Sequence, residues 1–472
     1  MAARDAYAGF RLPQPAPSGK PWMVPVLSGA TTTAHSLYHA HIAVRKPAII
    51  RGLPADSDLG ALLTQLTPEL LADAAGDAAV HVEVAAAGDD APEDGREFGR
   101  GKRVLRPLNE VLDELAAGAA LYISTQPEDS GWRSAGPPPP GRVHISAPLP
   151  ALVDSGLVPI RPALAGSLVP QSMHLWLGSS ASGSSSGLHH DFHDNIYVLA
   201  AGRKRFTLFD PSAAGALATY GELAGVAPNG RINYVGAGPV DENGAPLADV
   251  EAWRTKSALA TAKDDDDIDA ALERMLDMAA GGRKRKRKSA AAGDDDGDDD
   301  FPVFDGEWPD EWADEWADDD SGGPGTASSQ QASVAAAPPA AAVAKTAAEP
   351  EPEPDHFSRI PTPAVHARHG PKPWPLVADA PLFDASLPHA VAELSAGDVL
   401  YLPAGWFHEV TSFSDKPRAI HMAVNYWFHP PSMGARADAP YATEYWPSMF
   451  ADAHADDPPP AKKAKKGKRG KR

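Results

Sequence analysis

The sequence predicts a mainly β protein whose sheet core is interrupted by a long disordered insertion. From about residue 170 onward, strand-like segments dominate: MHLWLG, NIYVLA, RFTLFD, VLYLPA and AIHMAVNYWF. They are short, aromatic and β-branched, and Gly, Pro or charged turns separate them. The strand pattern stops near residue 254 and resumes near 356, with low-complexity sequence between. Together these patterns indicate a split all-β barrel or jelly-roll core.

The chain before this core mixes helix and strand. Residues 1–22 are Pro-rich, and we expect a flexible N-terminus. Residues 23–165 form an α/β portion, in which RKPAIIRGL (45–53) and AALYISTQ (119–126) are predicted strands. TPELLADAAG (67–76) is a predicted helix, with a Thr cap, Pro in the first turn and Gly at its end.

The remaining boundaries follow from composition. The first part of the core is predicted at residues 166–253 and the second at 356–432. The disordered basic and acidic insertion takes 254–355, because few of its residues could join a core. A C-terminal extension (433–457) and a basic tail (458–472) complete the chain.

Composition excludes several classes of site. The 472 residues include no cysteine, which rules out disulfides and thiolate zinc sites. No apolar run reaches the roughly 20 residues that span a bilayer, and the N-terminus lacks the apolar stretch of a signal peptide. We therefore expect no membrane association and a location in the nucleus, the cytoplasm or both.

The charge is concentrated in the insertion and the tail. Residues 294–320 hold 15 Asp or Glu and no Lys or Arg, which is most of the net charge of −20. RKRKRK and KKAKKGKRGKR are either nuclear-import or nucleic-acid patches or plain solvated charge, and the tail allows only weak nucleic-acid contact. The repeat EWPD, EWAD, EWAD (307–318) places three Trp residues four positions apart. This spacing is typical of acidic segments that fold on a partner, and a repeat expansion without function explains it equally well.

The segment SGLHHDFHDN has the residues of a metal site. In a strand, His189, Asp191 and His193 share one face, and His190 and Asp194 face the other way. A non-haem Fe(II) site needs two His and one carboxylate. His-x-Asp supplies two such ligands, so a third must come from elsewhere. Taken alone, the motif is more often a polar strand end.

Two further residues strengthen the metal hypothesis. In GDVLYLPAGWFHEV, His408 enters a strand among aromatics, as a metal ligand or a hydrogen-bonded core histidine. In GRKRFTLF, Lys204 shares a face with Phe206 and Leu208 and is predicted to point inward. A buried ammonium is costly unless it meets an anion, although a lysine at a strand end can also extend into water.

These segments resemble the JmjC branch of Fe(II)/2-oxoglutarate oxygenases. Within it, the likeness is to small JmjC-only protein hydroxylases, especially the lysyl hydroxylases that modify GTP-binding proteins of translation. It runs from Val24 to Pro430 outside the insertion, on VRKPAIIRG, LYISTQ, LWLGSSASGSSSGLHHDFHDNIYVLAAGRKRFTLFDP, GDVLYLPAGWFHEV and AVNYWF. The resemblance implies a double-stranded β-helix, the cupin-like JmjC core.

The resemblance also implies the site residues. The cofactors would be Fe(II), the co-substrate 2-oxoglutarate and O2, and His193 would lie at the pocket mouth. The catalytic metal ligands would be His189, Asp191 and His408. The 2-oxoglutarate residues would be Lys204, Ser186, Tyr122, Asn195 and Asn425.

The implied activity is hydroxylation of a protein side chain, with lysine expected, and release of succinate and CO2. An N-methyl-lysine demethylase is the alternative, since the same centre can oxidise an N-methyl group. The absence of cysteine-ligated reader modules, and Asp191 where many demethylases have Glu, favour the hydroxylase. A non-catalytic scaffold that binds partners through its charged tails is the second alternative. The complete set of site residues argues against it.

Overall fold

The computed structural model describes most of the chain outside the insertion. The acidic tract, the EWxD repeat, the predicted acidic helix at 263–280 and both basic runs lie outside the described residues. The described part, apart from Ala262, belongs to one unit, Met1–Thr261 with Glu353–Arg472. It comprises residues 4–13, 20–84, 103–124, 140–262, 353–370, 377–384, 386–416 and 419–457.

Strands dominate the described chain. They are, in chain order, β1 (Arg4–Asp5), β2 (Trp22–Met23), β3 (Val26–Ser28), β4 (Ala48–Arg51), β5 (Ala79–Val84), β6 (Arg103–Pro107), β7 (Leu121–Ser124), β8 (His144–Ile145), β9 (Pro170–Gly178), β10 (Ser184–Ser185), β11 (His189–His190), β12 (Asp194–Ala201), β13 (Arg203–Phe209), β14 (Leu223–Val226), β15 (Ile232–Tyr234), β16 (Ala390–Ser395), β17 (Val399–Leu402), β18 (Phe407–Phe413) and β19 (His421–Phe428).

Helices lie mainly in the N-terminal part. No described helix is long and apolar enough to cross a membrane. Short 3-10 turns occupy Ala163–Ala165, Pro211–Ala216 and Ala367–His369, and one π-helical turn occupies Tyr38–Ile42. The α-helices are α1 (Ala34–Leu37), α2 (Asp58–Gln65), α3 (Pro68–Ala75), α4 (Leu108–Ala117), α5 (Leu149–Asp154), α6 (Leu247–Thr261), α7 (Thr362–His366) and α8 (Tyr445–Ala453).

Two large mixed sheets build the core. The larger has the order β3-β4-β17-β12-β19-β9-β7-β5-β6, with β8 beside β9. The smaller has the order β10-β18-β13-β16-β2, with β11 beside β18. A third, small sheet is β1-β14-β15. Consecutive strands β12 and β13 thus lie in different sheets, which brings residues distant in sequence to one place.

The larger sheet is covered on both faces. On one face, Tyr197 of β12 contacts Phe206 of β13 with ring centroids 5.4 Å apart, so the two large sheets pack against each other. On the other face, helix residues such as Leu62 and Val111 share a core with Val424 of β19. Alternate residues of β12 and β19 therefore point between the sheets, and the others point toward the helices.

The predicted secondary structure is largely confirmed. Each strand predicted in the core corresponds to an observed strand (β9, β12, β13, β17 and β19), and the predicted N-terminal strands are β4 and β7. The helix predicted at 67–76 is α3, capped by the Thr67 side chain, which accepts from the Leu70 amide.

Two predicted segments, the flexible N-terminus and the insertion, include described residues with defined structure, and their boundaries stay predictions. Residues 4–13, expected in a flexible N-terminus, are held by the buried side chains of Tyr7 and Leu12 and by the Leu12 amide, which donates to Asp210 at 2.8 Å. Helix α6 continues to Thr261, past the predicted start of the insertion at 254. The helix buries few residues, so its apolar pattern is weak and periodicity does not predict it.

Candidate metal centre

Strand pairing brings the three candidate ligands together. Strand β11 pairs with β18, and His189 stands directly opposite His408. The amide of Gly405, in the turn before β18, donates to the Asp191 carbonyl at 2.9 Å. Ligand atoms of His189, Asp191 and His408 all lie within 4.8 Å of one another. Residues more than 200 positions apart thus form one cluster.

Backbone carbonyls orient both histidines. The Nδ1–H of His189 donates to the Gly187 carbonyl at 3.0 Å, and the Nδ1–H of His408 donates to the Trp406 carbonyl at 2.9 Å. Each ring then keeps its Nε2 lone pair, and Nε2 of His408 is 3.8 Å from Oδ2 of Asp191. Such second hydrogen bonds set the tautomer of metal-binding histidines. Two imidazoles and a carboxylate are the donor set of a facial Fe(II) site.

Burial shifts the pKa values of His189 and Asp191. Burial, together with neighbouring His408, lowers the pKa of His189 well below its ordinary value, which keeps the ring neutral and able to bind metal. Burial raises the pKa of Asp191 because the carboxylate loses water. A bound cation would offset that cost.

The other polar residues of the motif face as predicted. His190 points away: its Nδ1–H donates to the Asp191 carbonyl, and its Nε2 accepts from the Tyr234 hydroxyl at 2.7 Å. Asp194 also points away and binds Arg45. His193 lines the same cavity as the candidate ligands, with its ring stacked on Trp427 at 6.1 Å.

The candidate ligands open into a cavity of about 370 Å³ between the two large sheets. All five residues expected to bind 2-oxoglutarate line it. A larger cleft, about 470 Å³, lies between α3 and α5 and holds none of the predicted site residues. The lining residues that matter here are His189, Asp191, His408, Lys204, Ser186, Tyr122, Asn195 and Asn425.

Lys204 places a buried amine at this cavity. It is 2% exposed, and burial lowers its pKa to about 7. Its Nζ lies over two aromatic rings, 5.8 Å from the centroid of Tyr122 and 5.6 Å from that of Tyr197. Within the described residues, no carboxylate forms an ion pair with it. An anion bound beside Lys204 would offset the cost of burying its charged form.

The remaining lining residues offer polar groups. Ser186 Oγ accepts from the Val410 amide at 3.2 Å and donates to the Gly187 carbonyl at 3.1 Å. Asn425 Oδ1 accepts from Trp176 Nε1 at 3.0 Å. Asn195 Oδ1 is buried and has no hydrogen-bond partner among the residues described. Their roles in ligand binding stay predictions.

Several lining residues were not predicted. The Phe357 ring stacks on His189 with centroids 4.8 Å apart, and His356 lies beside it. Both stand at the predicted start of the second part of the core, and the sequence does not show that this segment reaches the candidate ligands. Trp176 and Trp427 also line the cavity. Their alternation with the apolar residues of β9 and β19 was the signal that could have identified them.

The chain resembles known proteins over most of its length. The cupin-like domain family matches residues 34–434. JmjC domain-containing protein 4 of Schizosaccharomyces pombe is 32% identical over 439 residues, which cover 89% of this chain and 87% of that relative. These findings confirm the resemblance inferred from the sequence.

Proposed function

The chain belongs to the cupin-like family, and on this basis we propose that it is an Fe(II)- and 2-oxoglutarate-dependent oxygenase that hydroxylates a protein side chain. One observation carries the proposal. A cluster of two histidines and one carboxylate shares a cavity with a buried lysine that lacks a carboxylate partner in the described chain. The first feature fits a metal with open positions, and the second fits an anionic co-substrate.

His189, Asp191 and His408 would hold the metal. When bound, Fe(II) with 2-oxoglutarate and O2 supplies the oxidising power for C–H hydroxylation, and succinate and CO2 are released. The chain's part is positioning. The carbonyls of Gly187 and Trp406 hold both imidazoles in the metal-binding tautomer.

The cavity walls would orient the co-substrate and exclude water. Lys204 would pair with its distal carboxylate, a charge-assisted contact of the strong kind. Ser186 and Tyr122 would add hydroxyl groups, with Asn195 and Asn425 beside them. Phe357, packed on His189, shields the metal side of the cavity. Fixed geometry of this kind is what brings a target C–H close to an oxidant.

The finer features of the proposal rest on the resemblance. Lysine is the proposed target because the sequence resembles lysyl hydroxylases. The proposed core is a double-stranded β-helix, which the facing β12–β19 and β13–β18 pairs support. A protein substrate is proposed for the same reason as the lysine target.

Mass spectrometry of a treated extract tests the activity. Host-cell extract is incubated with purified protein, Fe(II) and 2-oxoglutarate, with His189→Ala as the matched control. We expect a gain of one oxygen on a lysine of a specific protein, with succinate formed only by the wild type.

Other outcomes separate the alternatives. Loss of methyl groups from methylated lysines, without stable hydroxylation, would replace the hydroxylase by a demethylase. No modification, and no succinate above the His189→Ala control, would reject an enzyme and favour a scaffold.

A further inference from the structure

A buried histidine next to the anion site lacks hydrogen-bond partners. His421, the first residue of β19, is fully buried, and neither ring nitrogen has a partner among the described residues. A neutral imidazole has one N–H donor and one acceptor nitrogen. Burying both without partners destabilises a fold, so such a residue needs a reason to be there.

Strand register places this ring beside Tyr122. Gly178 of β9 stands opposite His421 on one side and opposite Tyr122 on the other. Because glycine has no side chain, the two rings approach across it, with centroids 5.8 Å apart. A Cβ at Gly178 would lie 2.6 Å from the Tyr122 ring and 3.0 Å from Cε1 of His421. The glycine thus makes room for the pair.

Lys204 lies over the same tyrosine. Its Nζ is 5.8 Å from the centroid of the Tyr122 ring. After burial, the charge of Lys204 is the second cause that lowers the pKa of His421, so the two groups are close and the ring stays neutral. Within the described chain, no carboxylate contributes to the lowered pKa of Lys204 or of His421. His421 adjoins the cavity through Lys204 and Tyr122, which line it.

We propose that His421 is a positioning residue for Lys204. In the loaded site, its neutral ring accepts one hydrogen bond from the Lys204 ammonium. An ammonium has three N–H donors, so the others remain for the distal carboxylate of 2-oxoglutarate. The inference rests on the proposed function and adds to it a residue outside the implied set.

Calorimetric titration of the full chain with Mn(II) tests this role. The two ligands are 2-oxoglutarate and 2-oxopentanoate, which has the same metal-chelating end but a methyl group instead of the distal carboxylate. His421→Phe removes the nitrogens and keeps a ring, and His421→Asn keeps an acceptor. His389→Phe is the control, because His389 is also a buried histidine but packs against Phe209, which does not line the cavity.

We expect His421→Phe to lose affinity for 2-oxoglutarate but not for 2-oxopentanoate. The wild type binds 2-oxoglutarate more tightly than 2-oxopentanoate. His421→Phe weakens 2-oxoglutarate binding about tenfold, the loss of one charge-assisted hydrogen bond, and leaves 2-oxopentanoate unchanged. His421→Asn recovers most of the affinity, and His389→Phe binds both ligands as the wild type does.

Three results would overturn the role of His421: unchanged 2-oxoglutarate affinity in His421→Phe, equal weakening of both ligands, or equal losses in the Phe and Asn variants. The last two would indicate a structural role. A wild type that shows no preference for 2-oxoglutarate would instead remove the proposed function, and this inference with it.

Discussion

Two buried charges on consecutive strands have opposite surroundings. Asp194 of β12 accepts four hydrogen bonds: two from Arg45, one from the Tyr401 hydroxyl and one from the Ala404 amide. Lys204 of β13 is almost as deeply buried, yet no described carboxylate pairs with it. Lys204 lines the cavity, whereas Asp194 points away from the candidate ligands.

The difference separates structural charge from ligand-binding charge. A buried carboxylate whose partners are complete contributes to a unique packing arrangement. A buried ammonium without a counter-ion costs free energy in the empty protein, and the site recovers that energy when an anion binds. The region around Asp194 should therefore govern stability, and the region around Lys204 should govern ligand affinity.

The largest effect on stability is expected at Asp194, whose carboxylate is fully hydrogen-bonded. Arg45→Leu leaves the Asp194 carboxylate buried without its cation, which should lower the free energy of unfolding by about 3–5 kcal/mol. Denaturant unfolding measures it. Arg205→Leu, which removes an exposed pair with Glu393, should unfold near the wild-type midpoint. An equal loss of unfolding free energy in Arg45→Leu and Arg205→Leu would contradict a greater importance of the buried pair.

Removing the Lys204 side-chain charge should change ligand affinity rather than stability. Lys204→Met should leave the stability of the empty protein unchanged or higher, because a desolvated ammonium is lost. Affinity for 2-oxoglutarate should fall about 100-fold, the upper range for a charge-assisted contact. Calorimetry and thermal unfolding of one preparation measure both. A large drop in stability would show that Lys204 is structural.

The pH dependence follows from the lowered pKa of Lys204, about 7 in the folded protein against an ordinary 10.5. Between these values only the unfolded chain holds the proton, so stability should rise with pH across this window in the wild type relative to Lys204→Met. Carboxylate binding needs the ammonium, so the dissociation constant of 2-oxoglutarate should rise about fivefold between pH 7 and 8. A flat profile would contradict a ligand-binding role for Lys204.

The smallest effect is expected at Ser186. Its hydroxyl already donates to the Gly187 carbonyl and accepts from the Val410 amide, so it has little left to give a ligand. Ser186→Ala should weaken 2-oxoglutarate binding only about threefold, within the range of one neutral hydrogen bond. Competition binding detects a change of that size. A loss as large as that of Lys204→Met would place the serine among the principal contacts.

The sequence was sufficient for the parts that depend on strand periodicity. Alternation predicted that Lys204 shares the buried face of β13 and that His190 and Asp194 turn away from His189, and the structure confirms both. The pairing of His189 with His408 was not readable from spacing alone. It followed from the resemblance and is now visible as strand register.

What escaped prediction depends on long-range contacts. The N-terminal segment is ordered by the Leu12 amide bonding Asp210, almost 200 residues away. Phe357 reaches His189 although it follows a low-complexity stretch. Alternation places His421 on the same face as Asn425 and so makes it a pocket candidate, but only the packing across Gly178 shows it beside Tyr122. No local pattern carries such information.

The most direct test of the central claim is anaerobic visible spectroscopy of the protein with Fe(II) and 2-oxoglutarate. A 2-oxo acid chelated to Fe(II) gives a charge-transfer absorption that neither component gives alone. We predict this absorption in the wild type, its loss in His189→Ala, and a much higher ligand concentration for its appearance in Lys204→Met. A wild type without the absorption, or a His189→Ala variant that retains it, would contradict a metal centre at His189, Asp191 and His408.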